Sequence, residues 1–193
     1  MALTKPNNRL SEAQYLEIER AAQFKSEFFD GEMFAMAGGS REHSLIASNL
    51  IAELRNRLRG RPCAVFNSDL RIKIETTGLY TYPDASVVCG PSKSITDADD
   101  TLVNPVLLAE VLSDSTEAYD RGRKSEQYRQ IPSLREYLLI SQKERHIESM
   151  VRGEKEWTLH EASGPNGTIE LPSLGVTLSL SEIYLKVDLL DEE

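Results

Sequence analysis

The sequence is poor in cysteine, in positive charge and in long apolar runs, and each shortage removes a class of protein. Two cysteines among 193 residues, Cys63 and Cys89, are too few for a disulfide framework or a zinc site. Both sit among apolar neighbours, C-A-V-F and V-V-C-G, which predicts buried free thiols in a reducing cytoplasm. No apolar run approaches the ~20 residues that cross a bilayer. The opening stretch M-A-L-T-K-P-N-N-R-L lacks the apolar core of a signal peptide. The expectation is a cytoplasmic protein with no membrane partner. Lys and Arg number 22 against 31 Asp and Glu, a net charge of −9. Such a chain is a poor constitutive binder of nucleic acid, because neutralised phosphates supply most of that affinity. A bound divalent metal or a local basic patch would offset the charge, since local field outweighs the total. Gly38-Gly39, in M-A-G-G-S, make neither a P-loop nor a dinucleotide fingerprint, so no nucleotide cofactor is expected.

What is present suits one globular domain over residues 1–193. Hydrophobic residues make up 40% and charged residues 27%, near the globular norm. Ser11 can cap a helix running through E-A-Q-Y-L-E-I-E-R. Asp30-Gly31, between F-F and E-M-F, is a two-residue hairpin signal. The strongest helical periodicity runs from about Ser40 to Arg59 and stops at Gly60, with Ile46, Ala47, Leu50, Ile51, Leu54 and Leu58 on one stripe. C-A-V-F-N-S-D-L-R-I-K-I-E supplies one or two strands, Leu70, Ile72 and Ile74 alternating against Asp69, Arg71, Lys73 and Glu75. Y-P-D-A-S-V-V-C-G and P-V-L-L-A-E-V-L-S read as further strands. A second long helix follows, capped by Ser115 or Thr116 and ending before Pro132. Then E-Y-L-L-I-S, H-I-E-S-M-V-R and E-W-T-L-H-E read as short strands, with a short helix near S-E-I-Y-L-K. The sum is an α+β domain of two long helices, a hairpin and a mixed sheet of about six strands.

Glu110 is the anomaly. It lies inside an apolar strand, on one face with Val106, Leu108 and Leu112, where an ionised carboxylate is costly unless something meets it. It either pairs with an arginine or lysine, sits protonated, faces a polar cleft, or binds a metal with a second carboxylate. Asp84, fixed in its approach by Pro83, is the natural second acid. Two carboxylates at the ends of adjacent strands suit a hard divalent cation such as Mg²⁺. On the following helix Asp120, Lys124 and Tyr128 are spaced to share one stripe with Ile131. Lys124 therefore falls on the docking face. It pairs there with Asp120, for ~0.3–0.5 kcal/mol, or reaches back to Glu110.

Pro83-Asp84, then Glu110, then a nearby lysine resembles the PD-(D/E)XK nuclease superfamily and, more narrowly, a bacterial family of restriction endonucleases. The shared features are F-F-D-G-E, a helix opening with His43, Y-P-D-A-S-V, A-E-V-L-S-D-S-T, D-R-G-R-K-S-E-Q-Y and S-L-R-E-Y-L-L-I, covering roughly Ser26 to Ile140. The resemblance implies a restriction-endonuclease-like fold: a mixed central sheet flanked by helices, with a catalytic core at about 26–141. C-terminal strands and a short helix would follow at 142–193. It implies a Mg²⁺- or Mn²⁺-dependent endonuclease acting on DNA, with the metal on Asp84, Glu110 and the carbonyl of Val111. In the superfamily pattern the lysine stands two residues after the second acid, a position held here by Leu112. The lysine has then migrated to the next helix, as Lys124. His43, at the start of the long helix, is a candidate phosphate or water contact, with a satisfied core histidine or a helix-end cap as the alternatives. Glu42 and Glu53 are candidates for an acidic ligand from that helix, and Asp69, Asp120 and Tyr128 are supporting candidates. Symmetric dimers suit duplex substrates, so a homodimer is expected. The competing readings are a nuclease-like fold serving as a non-catalytic dimeric binding module, and a metal-dependent hydrolase of some other phosphoester.

Overall fold

The computed structural model describes residues 9–95 and 98–189. The expectation that the opening stretch lacks a signal peptide falls mostly on residues 1–8, which lie outside them. Helix α1 (Glu12–Ala21) begins where expected. The Ser11 hydroxyl accepts from the Gln14 N–H, and the Gln14 side chain accepts in return from the Ser11 N–H, a reciprocal cap that satisfies two otherwise unpaired donors. Strands β1 (Ser26–Phe29) and β2 (Glu32–Ala35) close through Asp30 and Gly31 at φ 50° and 82°, the positive values a tight hairpin demands. Helix α2 (Arg41–Arg57) is capped by Ser40, and the chain leaves it through Gly60 at φ 81°.

Strands β3 (Cys63–Asn67), β4 (Arg71–Ile74), β5 (Leu79–Thr81), β6 (Ala85–Cys89), β7 (Thr101–Leu102) and β8 (Leu107–Val111) follow. After the helical segment come β9 (Glu136–Ile140), β10 (His146–Arg152), β11 (Trp157–Ser163), β12 (Thr168–Leu171), β13 (Val176–Ser179) and helix α5 (Leu180–Ile183). The central sheet has six strands in the order β11-β10-β9-β8-β6-β3, mixed because β8 and β9 run parallel. The single sheet read from the sequence is joined by two others. A five-stranded sheet runs β2-β1-β5-β4-β7, and β12 pairs with β13. Arg71, read as the polar side of an alternating strand, is buried and held by Asp100 and Thr101.

Alternation along β8 and β9 divides the core. Leu107, Ala109, Val111, Leu138 and Ile140 face α2 and the C-terminal strands, packing on Ile46, Leu50 and Leu54. Leu108, Leu112, Tyr137 and Leu139 face the other way, toward Ile72, Leu79 and Tyr128. Val106 packs on the α2 side instead of sharing the Glu110 face. Glu110 therefore points into the layer between the central sheet and the five-stranded sheet.

The second long helix runs unbroken from Glu117 to Tyr128, but its winding changes along the way. It consists of α3 (Glu117–Tyr119), a π-helical turn at Asp120–Lys124 and α4 (Ser125–Tyr128). A straight-helix stripe cannot then account for the placement of Asp120, Lys124 and Tyr128, yet all three are buried. π turns are rare and gather at functional sites.

The cysteines also correct the expectation. Cys63 and Cys89 stand opposite each other in the β3–β6 ladder and are joined by a disulfide. The expected cytoplasmic location loses the support of free thiols; among the described residues no helix is long and apolar enough to cross a membrane. Protein denatured without reductant should show no titratable thiol. Replacing both cysteines by serine should lower unfolding stability by about 2–4 kcal/mol, the usual effect of opening such a loop, as measured by urea titration.

Candidate active site

Asp84 and Glu110 are brought together by sheet register. Ala85 of β6 lies opposite Ala109 of the antiparallel β8, so one step outward Asp84 stands level with Glu110. Alternation puts both side chains on the same face. The Asp84 carboxylate is fixed at both oxygens. Oδ2 accepts from the Val111 N–H at 2.8 Å, and Oδ1 meets His43 Nε2 at 2.9 Å. The bond to Asp84 pushes the His43 imidazole above its ordinary value, against the effect of its burial. His43 reaches Asp84 because it opens α2 beside Gly39. A Cβ at Gly39 would lie 2.7 Å from the ring, so that glycine leaves room for it.

What meets Glu110 is Lys124, whose Nζ lies 2.8 Å from Oε1. The Tyr128 hydroxyl donates to the same oxygen at 2.6 Å. Oε2 has no hydrogen-bond partner among the described residues. Lys124 also lies 3.2 Å from Glu27 and 3.5 Å from Asp120. Both the Asp120 pairing and the reach to Glu110 are thus present, and Glu110 is the shorter contact. Burial pushes the Glu110 carboxyl up to about 8, with Lys124 pulling against it. Asp120 is raised for the same reason. The three carboxylates hold the Lys124 ammonium charged, well above its ordinary range, despite complete burial.

Glu27 is the participant that sequence reasoning missed. It projects from β1, accepts from Thr81 and Lys124 on one oxygen and from the Tyr119 hydroxyl on the other. The signal was available: Glu27 sits among Ser26, Phe28 and Phe29 as Glu110 sits among apolar neighbours. Other candidates fall elsewhere. Glu53 pairs with Arg57 along α2 at 3.4 Å, and Asp69 pairs with Lys25 at 2.7 Å. Neither they nor Glu42 line the cavity described next.

Glu27, Asp84, Glu110 and Asp120 open on a cavity of about 690 Å³. Its walls near the β1–β2 hairpin are apolar, with Phe29, Phe34 and Met36, and Arg123 stands at its edge. Four carboxylates here face one lysine, one arginine and one histidine, a balance that favours an added cation. No third His, Cys or acidic ligand clusters within 4.8 Å of both Asp84 and Glu110 among the described residues. A hard cation that keeps its waters needs only one or two carboxylates. The unengaged Glu110 Oε2, the spare lone pairs of Asp84 and a main-chain carbonyl form a donor set that fits it.

Residues 12–181 match the family described as "Uma2: Putative restriction endonuclease". Two uncharacterized proteins of Synechocystis sp. are similar over most of their lengths. One, slr1290, is 39% identical over 182 residues, 93% of each chain. The other, sll1609, is 38% identical over 162 residues, 83% of this chain and 92% of that one. The fold is similar to a crystal structure described as "a putative nuclease belonging to DUF820" from Anabaena variabilis, with a TM-score of 0.71 at 18% identity. That likeness covers 89% of this chain and 96% of the other, and it is consistent with the restriction-endonuclease-like fold.

Proposed function

We propose that the chain, which belongs to the Uma2 family, is a metal-dependent endonuclease that hydrolyses phosphodiester bonds of DNA. The observation that carries this reading is the side-by-side placement of Asp84 and Glu110 on one cavity, with Lys124 reaching Glu110 from the π turn. Asp84, Glu110 and the Val111 carbonyl would hold Mg²⁺ or Mn²⁺. Such an ion lowers the pKa of a bound water and offsets charge on the phosphate. The chain's own residues do the rest. His43 and the Val111 N–H orient Asp84, so that its carboxylate is presented in one pose. Tyr128 does the same for Glu110. Lys124, whose ammonium lies 2.8 Å from Glu110, would supply the positive charge that holds the attacking water and stabilises the transition state. Arg123, at the cavity edge and paired with no carboxylate among the described residues, is placed to receive a phosphate. The −9 charge confines nucleic-acid attraction to such local cations. A two-fold dimer would present two such cavities to the two strands of a duplex.

Calorimetric titration of Mg²⁺ into wild type and Asp84→Asn, with supercoiled plasmid as a parallel substrate, tests the reading. Asp84→Asn should bind Mg²⁺ more than about tenfold more weakly, since even outer-shell changes cost ~10–100-fold, and should fail to nick. Unchanged affinity and nicking in a folded Asp84→Asn protein would remove the metal role. A wild type that binds Mg²⁺ but cleaves no DNA would leave the non-catalytic binding module as the better account.

A further inference from the structure

The face of the central sheet that carries Glu110 holds a second group of ligands at its outer edge. On β10, His146 and Glu148 lie two residues apart and point the same way. Across the ladder Glu161 of β11 stands opposite Glu148, and Ser163 stands opposite His146. The ligand atoms of His146, Glu148 and Glu161 all fall within 4.8 Å of one another. His146 Nε2 is 3.3 Å from Glu148 Oε1 and 3.5 Å from Glu161 Oε1.

Two observations separate this group from an ordinary acidic patch. The first is the state of the imidazole. Nδ1 is engaged with the Ser163 hydroxyl at 2.8 Å, which fixes the ring and aims Nε2 between the two carboxylates. Its separations from the two carboxylates, 3.3 and 3.5 Å, are those of loose ion pairs when the ring is protonated, and they equally fit the ~3.3 Å between ligand atoms around a tetrahedral ion with bonds of ~2.0–2.1 Å. The second is the pairing itself. Two glutamates directly opposite across a ladder repel, and Arg121 offsets only one of them, lying 2.7 Å from both oxygens of Glu148. Arg121 thereby becomes the outer partner that orients a ligating carboxylate. Three ligands on two paired strands also need no loop to be ordered on binding.

We infer that His146, Glu148 and Glu161 form a second divalent-metal site, separate from the Asp84–Glu110 cavity and suited to a transition metal of the zinc type. One imidazole with two carboxylates suits zinc, whereas Mg²⁺ prefers oxygen and water alone. A water completes the fourth position. The ion sits one salt bridge from the π turn, because the Glu148 that would hold it also holds Arg121.

Co²⁺ and Zn²⁺ titrations of the full chain test this without any assay of activity. Wild type and Asp84→Asn should both develop the visible absorption of tetrahedral Co²⁺, displaced by stoichiometric Zn²⁺. His146→Ala should lose that band, and Glu161→Gln, at an exposed position, should weaken Co²⁺ binding by more than about tenfold. Circular dichroism confirms that each variant is folded. The inference is overturned if His146→Ala binds Co²⁺ as wild type does, if the band vanishes in Asp84→Asn and persists in His146→Ala, or if wild type gives no band at submillimolar Co²⁺. Because Asp84→Asn disables the cavity site alone, failure here and failure of the endonuclease reading are distinguishable.

Discussion

Replacing Lys124 by methionine should abolish plasmid cleavage and destabilise the fold at the same time. Lys124 is 4% exposed and lies within 3.5 Å of Glu27, Glu110 and Asp120. Methionine fills the stem's volume but leaves three buried carboxylates facing one another without a cation. Removing one partner of a buried ion network costs about 3–5 kcal/mol, mostly as the penalty on the charges left behind. The effect depends on pH with a definite sign. Burial already raises the Glu110 and Asp120 carboxyls and Lys124 opposes it, so without the ammonium these two hold their protons to still higher pH than they would unfolded. The native state then binds more protons than the unfolded chain, and stability falls as pH rises above the ordinary carboxylate range. Urea unfolding should therefore show a small loss at pH 5 and a large one at pH 8. Adding Glu27→Gln to Lys124→Met should recover part of the stability and none of the cleavage. A Lys124→Met protein that unfolds with wild type at pH 8 would mean that the network contributes nothing to the fold.

That network was half legible in the sequence. Glu110 declared itself as a carboxylate inside an apolar strand, and Asp84 followed from strand order and Pro83. Lys124 is legible from its position on a docking face, although the helix that carries it widens into a π turn at Asp120–Lys124. Nothing in D-R-G-R-K announces that turn, because local spacing describes a regular α-helix equally well. Glu27 breaks an apolar strand as Glu110 does, but the four residues of β1 are too few for an alternation that would set its face apart. The Cys63–Cys89 pairing depends on a ladder register that composition cannot supply. Strands β12 and β13 flank Pro172 and Gly175, a turn signal that was there to be read. Short two-residue β7, by contrast, offers too little pattern to detect.

Mg²⁺ affinity should rise about tenfold per pH unit from pH 6 and level off near pH 8, because the ion must displace a proton from Glu110. Burial raises that carboxyl from 4.5 to about 8, and Lys124 opposes the shift without cancelling it. Below that value a cation approaching Oε2 meets a carboxylic acid. Above it the carboxylate is already charged and pH has no further hold. Calorimetry in buffers of different ionisation enthalpy would count the protons, with about one released per ion at pH 6.5 and almost none at pH 9. The same shift fixes the sign for folding without metal. Between 4.5 and 8 the native state binds more protons at Glu110 than the unfolded chain does, so this residue's contribution to stability is lost as pH rises through that window. Mg²⁺ should reverse the trend by binding the native carboxylate, and Glu110→Gln should flatten both curves. An affinity independent of pH from 6 to 8 would mean that Glu110 is already ionised beside Lys124. The ion would then have to compete with an ammonium 2.8 Å away, not with a proton.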